Sequence, residues 1–355
     1  MVFEGRVEPV VLKKAVWTSA PSEPDPTPPA RRPHSVRRTS SMLMSWPDGL
    51  GTELHLDGRA RDLLTHATPA SGRAEPVVVA AATLHAVTGR ERDIQTIEAT
   101  PAPPQLQRLV GCRAGGGLRA VIAEHLGDEA EAGTPLYLLL DDLAGATLIS
   151  GFTYFKWQDQ YPEIKQRYQS APPRINTNIC AGFQEGSGAL NPDGTLKGVS
   201  ENTPPAPPLA DPLDPVGWHE LGDHPDIAMR RARRIDVWTD TDTDTDADAD
   251  TINVDAMFRD TCWMPDGTET VLHEYRIFAT ADAGTGTLTA ADAVPMVLPY
   301  VECPEAAPNA SRLVGTELGA LRAQVLEQLK NADCCTHLND ALRALAEVPV
   351  LAASL

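Results

Sequence analysis

Alternation of apolar and polar positions dominates the last third of the chain. In RRIDVWTD (233–240) apolar and β-branched residues recur at every second position, the period of a strand with one buried face. INVDAMFRDTCW (252–263) predicts a second strand, followed by a tight turn at Pro265-Asp266-Gly267. ETVLHEYRIFATAD (269–282) predicts a third strand, broken by Gly284 and Gly286. GTLTAADAVPMVL (286–298) predicts a fourth, ended by Pro299. The period then changes. Leu313, Leu318, Leu321, Val325 and Leu329 recur at helical spacing, as do Leu338, Leu342, Leu345 and Val348. A four-stranded antiparallel meander followed by two helices is an α+β unit whose helices cover one sheet face.

The same order of residues occurs earlier in the chain. Arg108-Leu109-Val110-Gly111 matches Arg312-Leu313-Val314-Gly315, and Leu118-Arg119-Ala120 matches Leu321-Arg322-Ala323. HLDGRARD (55–62) lies over NVDAMFRD (253–260), and Arg37-Arg38 over Arg233-Arg234. YLLLDDLAGATL (137–148) lies over CTHLNDALRAL (335–345), pairing Asp141-Asp142 with Asn339-Asp340. The reading is an internal duplication whose halves pack as a pseudo-symmetric pair. A disordered Pro-rich arm (1–32) precedes the first unit (33–150). An irregular Pro/Gly-rich insert (151–227) separates it from the second unit (228–355). Asp141-Asp142 is expected on a solvated helix face. TDTDTDADAD (241–250) is expected to be a solvated loop, because it lacks the central Gly and terminal Glu of a calcium loop.

Charge narrows the partners. The net charge of −19 opposes nucleic acid, whose phosphates need a basic face, and anionic membrane surfaces. No apolar run approaches the roughly 18 residues of a membrane helix, and the N-terminus has no secretory signal pattern. Six cysteines in 355 residues are not a disulfide framework. The expectation is a cytoplasmic protein with reduced thiols, acting on a small-molecule ligand or a partner protein.

RRIDVW, VDAMFRD, HEY, CPEAAP, RLVG and the CTHL helix start together resemble the bacterial domain of unknown function 2889 family, in two tandem copies. That resemblance implies no activity. Members tend to sit in catabolic operons, often for aromatic compounds, so the resemblance implies a metal- or small-molecule-binding accessory protein of such a pathway, with a small-molecule ligand or an operon-encoded protein as partner. A remoter resemblance is to the NifU-like and SufE-like iron–sulfur scaffold proteins. These share the order of meander, cysteine after the last strand, helix, and Cys/His opening a later helix. Carried over, it implies a metal site on His273, Cys303, Cys335 and His337. Two sulfurs and two nitrogens suit zinc, with Glu274 as a substitute for His273. Here a histidine stands where the scaffold's first ligand is a cysteine, and Cys-Thr-His replaces an adjacent His–Cys pair. The first unit has Tyr137, Leu139 and Ala99 at the matching positions, with His85 over His273.

Other readings stand beside this one. Cys303 and Cys335 fit equally well as small buried residues, with His337 a satisfied histidine. An enzyme would use Cys335 as a thiolate with His337 or His273 as base, or a zinc-bound water. A protein-interaction module would use the Pro-rich segments.

Overall fold

The computed structural model describes residues 17–26, 28–66, 76–170, 174–239 and 251–355. The acidic run 240–250, expected as a loop, lies outside them. Eight strands form one antiparallel sheet: β1 (Ser35–Ser45), β2 (Leu54–Thr65), β3 (Pro76–Thr88), β4 (Ile94–Thr100), β5 (Ala228–Thr239), β6 (Thr251–Trp263), β7 (Glu269–Asp282) and β8 (Leu288–Val297). Their order is β4-β3-β2-β1-β5-β6-β7-β8. Each predicted unit contributes four consecutive strands, and the two sets merge where β1 pairs with β5 from Ser35↔Trp238 to Ser45↔Ala228. The two units therefore share one continuous sheet.

Helices follow each set of strands. After β4 come α1 (Leu118–His125), α2 (Gly127–Glu131), α3 (Pro135–Ile149), α4 (Gly151–Trp157) and α5 (Pro162–Ser170). After β8 come α6 (Leu321–Gln328), α7 (Thr336–Ala344) and α8 (Val348–Ala352). Thr134 caps α3 by accepting from the Tyr137 N–H, and Pro135 occupies its first turn. The stretch Pro135–Trp157 is long and apolar enough to cross a membrane by length and composition alone, which the sequence reading missed. It is 72% buried and packs on β1, β2 and β3 as a core helix. Cys303–Leu313, which precedes the helical stripe expected from Leu313 onward, winds as a 3-10 helix with Pro308 inside it. Pro304 and Pro308 supply no backbone N–H, so the tighter, shorter winding prevails.

The helices cover one face of the sheet. The opposite face is covered by the insert over β5 and β6, where Leu209 and Trp218 pack on Ala232 and Met257. The described part of the arm is tied to the sheet and the insert. The Leu298 N–H donates to Pro21 O at 3.1 Å and the Glu23 N–H to Met296 O at 3.1 Å. Arg31 pairs with Asp214 at 2.7 Å. Strand edges leave backbone groups unpaired, and this segment takes up the Met296 carbonyl of β8 and the Leu298 N–H just beyond it.

Arginines sit in the core of both faces, and the acids opposite them explain why. In β1 and β2, Arg38 lies across from Asp62 and holds both its oxygens at 2.6 Å. In β5 and β6, Arg231 lies across from Asp260 and holds both its oxygens, at 2.9 and 3.1 Å. Arg37-Arg38 thus matches Arg230-Arg231 in position, three residues earlier than the sequence alignment placed it. Asp141 and Asp142, expected in solvent, are buried. Asp141 accepts from Arg119 and Arg343, each at 2.8 Å, and Asp142 from Arg233 at 3.0 Å.

Candidate metal centre

The site grows out of one register row on the helix-covered face. Asp260 ends the regular pairing of β6, because the β6–β7 register shifts between Asp260 and Thr261. Directly opposite stands His273 on β7. Above both lies the start of α7, where Cys335 is the cap residue and His337 is in the first turn. The apolar stripe of Leu338, Leu342 and Leu345 pulls α7 onto the sheet, which fixes where His337 lands.

The His273 and His337 rings stack with centroids 3.5 Å apart, 14° from parallel. Asp260 Oδ2 lies 3.7 Å from His337 Nε2 and 3.9 Å from His273 Nδ1. The donor atoms of Asp260, His273 and His337 all lie within 4.8 Å of one another, the one such group of three or more among the described residues. Asp260 is fully buried, and the His273 and His337 side chains are 11% and 18% exposed. His273 Nδ1 is buried and has no hydrogen-bond partner.

Electrostatics keep both rings neutral. Burial, then Arg231, pushes His337 down to about 3. Burial, then His337, holds His273 well below its usual value. Arg231 does not serve Asp260 alone: it also reaches Asp340 at 3.1 Å and Asp142 at 3.5 Å. Asp340 is held down to about 2: burial opposes this, but Arg231, Arg119 and Arg233 outweigh it. A neutral imidazole offers a lone pair, and a carboxylate oxygen has more than one acceptor site, so this trio is in the protonation state a metal ion requires.

The four residues expected as ligands divide. His273 and His337 are brought together. Cys335 Sγ stands beside them, 3.9 Å from His337 Nδ1. Cys303 is outside the group of close donors. Its thiol packs against the turn Cys180-Ala181-Gly182 of the insert, where a Cβ on Gly182 would fall 2.5 Å from the sulfur. Burial pushes the thiols of Cys303 and Cys335 up, and the neighbouring Cys335 and Cys180 add to the shift of Cys303. The hydroxyl of Tyr275 is buried beside the thiols of Cys335 and Cys303. Sequence reasoning missed Asp260 as a donor. Its signal was the repeated Arg-Asp pair at 61–62 and 259–260. His85, aligned with His273, lies on the opposite sheet face, paired with Asp57 at 2.7 Å.

Comparison with protein families meets this geometry in the second unit. Residues 229–351 match the family described as protein of unknown function (DUF2889). The DUF2889 match runs from β5 into α8 and contains Asp260, His273, Cys303, Cys335 and His337. The match lies in the second unit and covers about a third of the chain. No curated protein and no solved structure matches the chain.

Proposed function

We propose that the protein is a metal-binding protein, with one divalent transition ion held by Asp260, His273 and His337. The observation that carries this reading is the convergence of two neutral histidines and a carboxylate within 4.8 Å. Two imidazoles and a carboxylate are a common donor set for catalytic zinc and for non-haem ferrous iron. Bonds of about 2.0–2.1 Å bring tetrahedral donors to about 3.3 Å from one another, so donors that lie within 4.8 Å of one another need to close by up to about 1.5 Å. Arg231 can keep Asp142 and Asp340 as counter-ions while Asp260 shares an oxygen with the ion.

The accessory role in a catabolic pathway is part of the same proposal. The duplication belongs to it as well. Its support is the equivalence of Arg38–Asp62 and Arg231–Asp260, with the metal donors in the second copy. Across from Asp62 the first copy has Ala80, where Asp260 faces His273. The nucleophile reading is disfavoured, because burial raises the Cys335 thiol and leaves little thiolate near neutral pH.

Metal analysis tests this reading. Protein purified without chelator and loaded with zinc or, anaerobically, with ferrous iron should retain one ion per chain after desalting. Retention of neither ion, or equal retention by His273→Ala, would refute it.

A further inference from the structure

The sheet face away from the metal donors carries a second site. A cleft of about 660 Å³ lies over the outer surface of the first four strands, walled by Leu221 to Asp223. One register row crosses its floor: Arg230, Leu43, Asp57, His85 and Glu98, each opposite the next on β5, β1, β2, β3 and β4. The neighbouring row brings Ser41, Arg59, Thr83 and Thr100 into register in the same way. Alternation along each strand puts these side chains on one face.

The two ends of the floor have opposite character. At one end are the guanidiniums of Arg230 and Arg59. Arg230 is buried, stacks 4.7 Å from the Trp263 ring and has one carboxylate, Glu269, at 3.3 Å. Glu269 also accepts from the Thr261 hydroxyl at 2.6 Å. Arg59 lies against the backbone of Gly222 and donates weakly to Glu220 O at 3.4 Å. Among the described residues it forms no ion pair. Burial lowers Arg230, with Glu269 only partly opposing the shift. At the other end Asp57 accepts from or shares a proton with His85 at 2.7 Å, and Glu98 stands exposed beside them without an ion pair among the described residues.

We infer that this cleft binds a small dipolar organic molecule, its carboxylate on Arg59 and Arg230 and its ammonium toward Glu98. In a protein of net charge −19, an arginine left without a counter-ion in a cleft selects anions that also carry a cationic group. Strands about 4.8 Å apart put β2 and β4 about 10 Å from each other, so the charges on the ligand are separated by several atoms.

Isothermal titration with the ω-amino acids from glycine to 6-aminohexanoate tests the inference on the full chain, with hexanoate and hexylamine as singly charged controls. At least one ω-amino acid should bind saturably and at least tenfold more tightly than both controls. Arg59→Met and Glu98→Gln should each weaken it at least tenfold. Both positions are exposed, so the circular dichroism spectrum and melting temperature should match the wild type. EDTA should leave the binding unchanged, which separates this site from the metal proposal. No saturable binding by any probe, controls that bind equally well, or variants that bind like the wild type would each overturn it.

Discussion

His273 and His337 stack face to face, centroids 3.5 Å apart, one from β7, the strand next to the sheet edge, and one from the first turn of a helix. The contact has a packing part and a donor part, and substitution can separate them. His337→Phe keeps a ring over His273 and beside Phe258, whose centroid is 6.2 Å from that of His337. It removes the nitrogen facing Asp260. Urea unfolding of the metal-free protein should change by less than about 1.5 kcal/mol for this swap, with metal binding abolished. Retained metal binding by His337→Phe would show that His337 is no ligand.

Arg231 is 1% exposed and shared by three carboxylates. Arg231→Met should destabilise the fold by about 3–5 kcal/mol, because it leaves buried carboxylates without a counter-charge. Arg231→Lys should recover little, since an ammonium cannot span both oxygens of Asp260. Pairing Arg231→Met with Asp260→Leu should cost less than the sum of the single changes. Additive losses in denaturant titrations would show that the pair is not coupled.

Gly145 stands inside α3, where alanine is ordinarily favoured by about 1 kcal/mol. Here a Cβ would lie 2.1 Å from Arg231 Nη1 and 2.7 Å from Asp340 Oδ2. The guanidinium is the tip of a long side chain, but its carboxylates pin it. Gly145→Ala should therefore destabilise by about 1–3 kcal/mol. A raised melting temperature would mean that Arg231 can move aside.

His219 is buried with Ser41 Oγ 2.7 Å from one ring nitrogen and Thr39 Oγ1 2.8 Å from the other. Burial, then Arg61, Arg59 and Arg230, pushes it down to about 3. The unfolded chain takes up this proton near pH 6.5 and the folded chain does not. The stability contributed by the neutral ring is therefore complete above pH 6.5 and is lost as pH falls from there toward about 3. His219→Gln should flatten the urea midpoint between pH 6.5 and 4 relative to the wild type. Parallel profiles would show that His219 titrates normally.

Thiol reactivity should follow burial. Cys112 is half-buried, whereas Cys303 and Cys335 are buried with raised thiols. Iodoacetamide near neutral pH should label Cys112 first, and Cys303 and Cys335 only after denaturation, as read by peptide mass spectrometry. Labelling of Cys335 as fast as Cys112 would revive the nucleophile reading.

The strands of the second unit were legible because Val, Ile, Phe and Tyr recur along β6 to β8 and Gly and Pro follow their ends. The register of the first strands was not. RRARR offers arginine at 230, 231, 233 and 234, and a charged residue at a core position hides which face is buried. Only the acid across the strand, Asp62 or Asp260, fixes the register. The buried acids of α3 were misread for the same reason, since charge in a sequence signals solvent unless its partner is known. His337 and His273 were legible from a resemblance. Asp260 was not, because strand pairing, not sequence spacing, puts it opposite His273.

Competition of a chromogenic zinc chelator against the metal-free protein, wild type beside His337→Ala and His273→Ala, reads out whether Asp260, His273 and His337 hold a metal ion. The wild type should bind one zinc ion per chain, and each variant should bind at least about tenfold more weakly, at or beyond the effect of losing a supporting residue. A wild type that takes no zinc from the chelator, or variants that take it equally well, would contradict it.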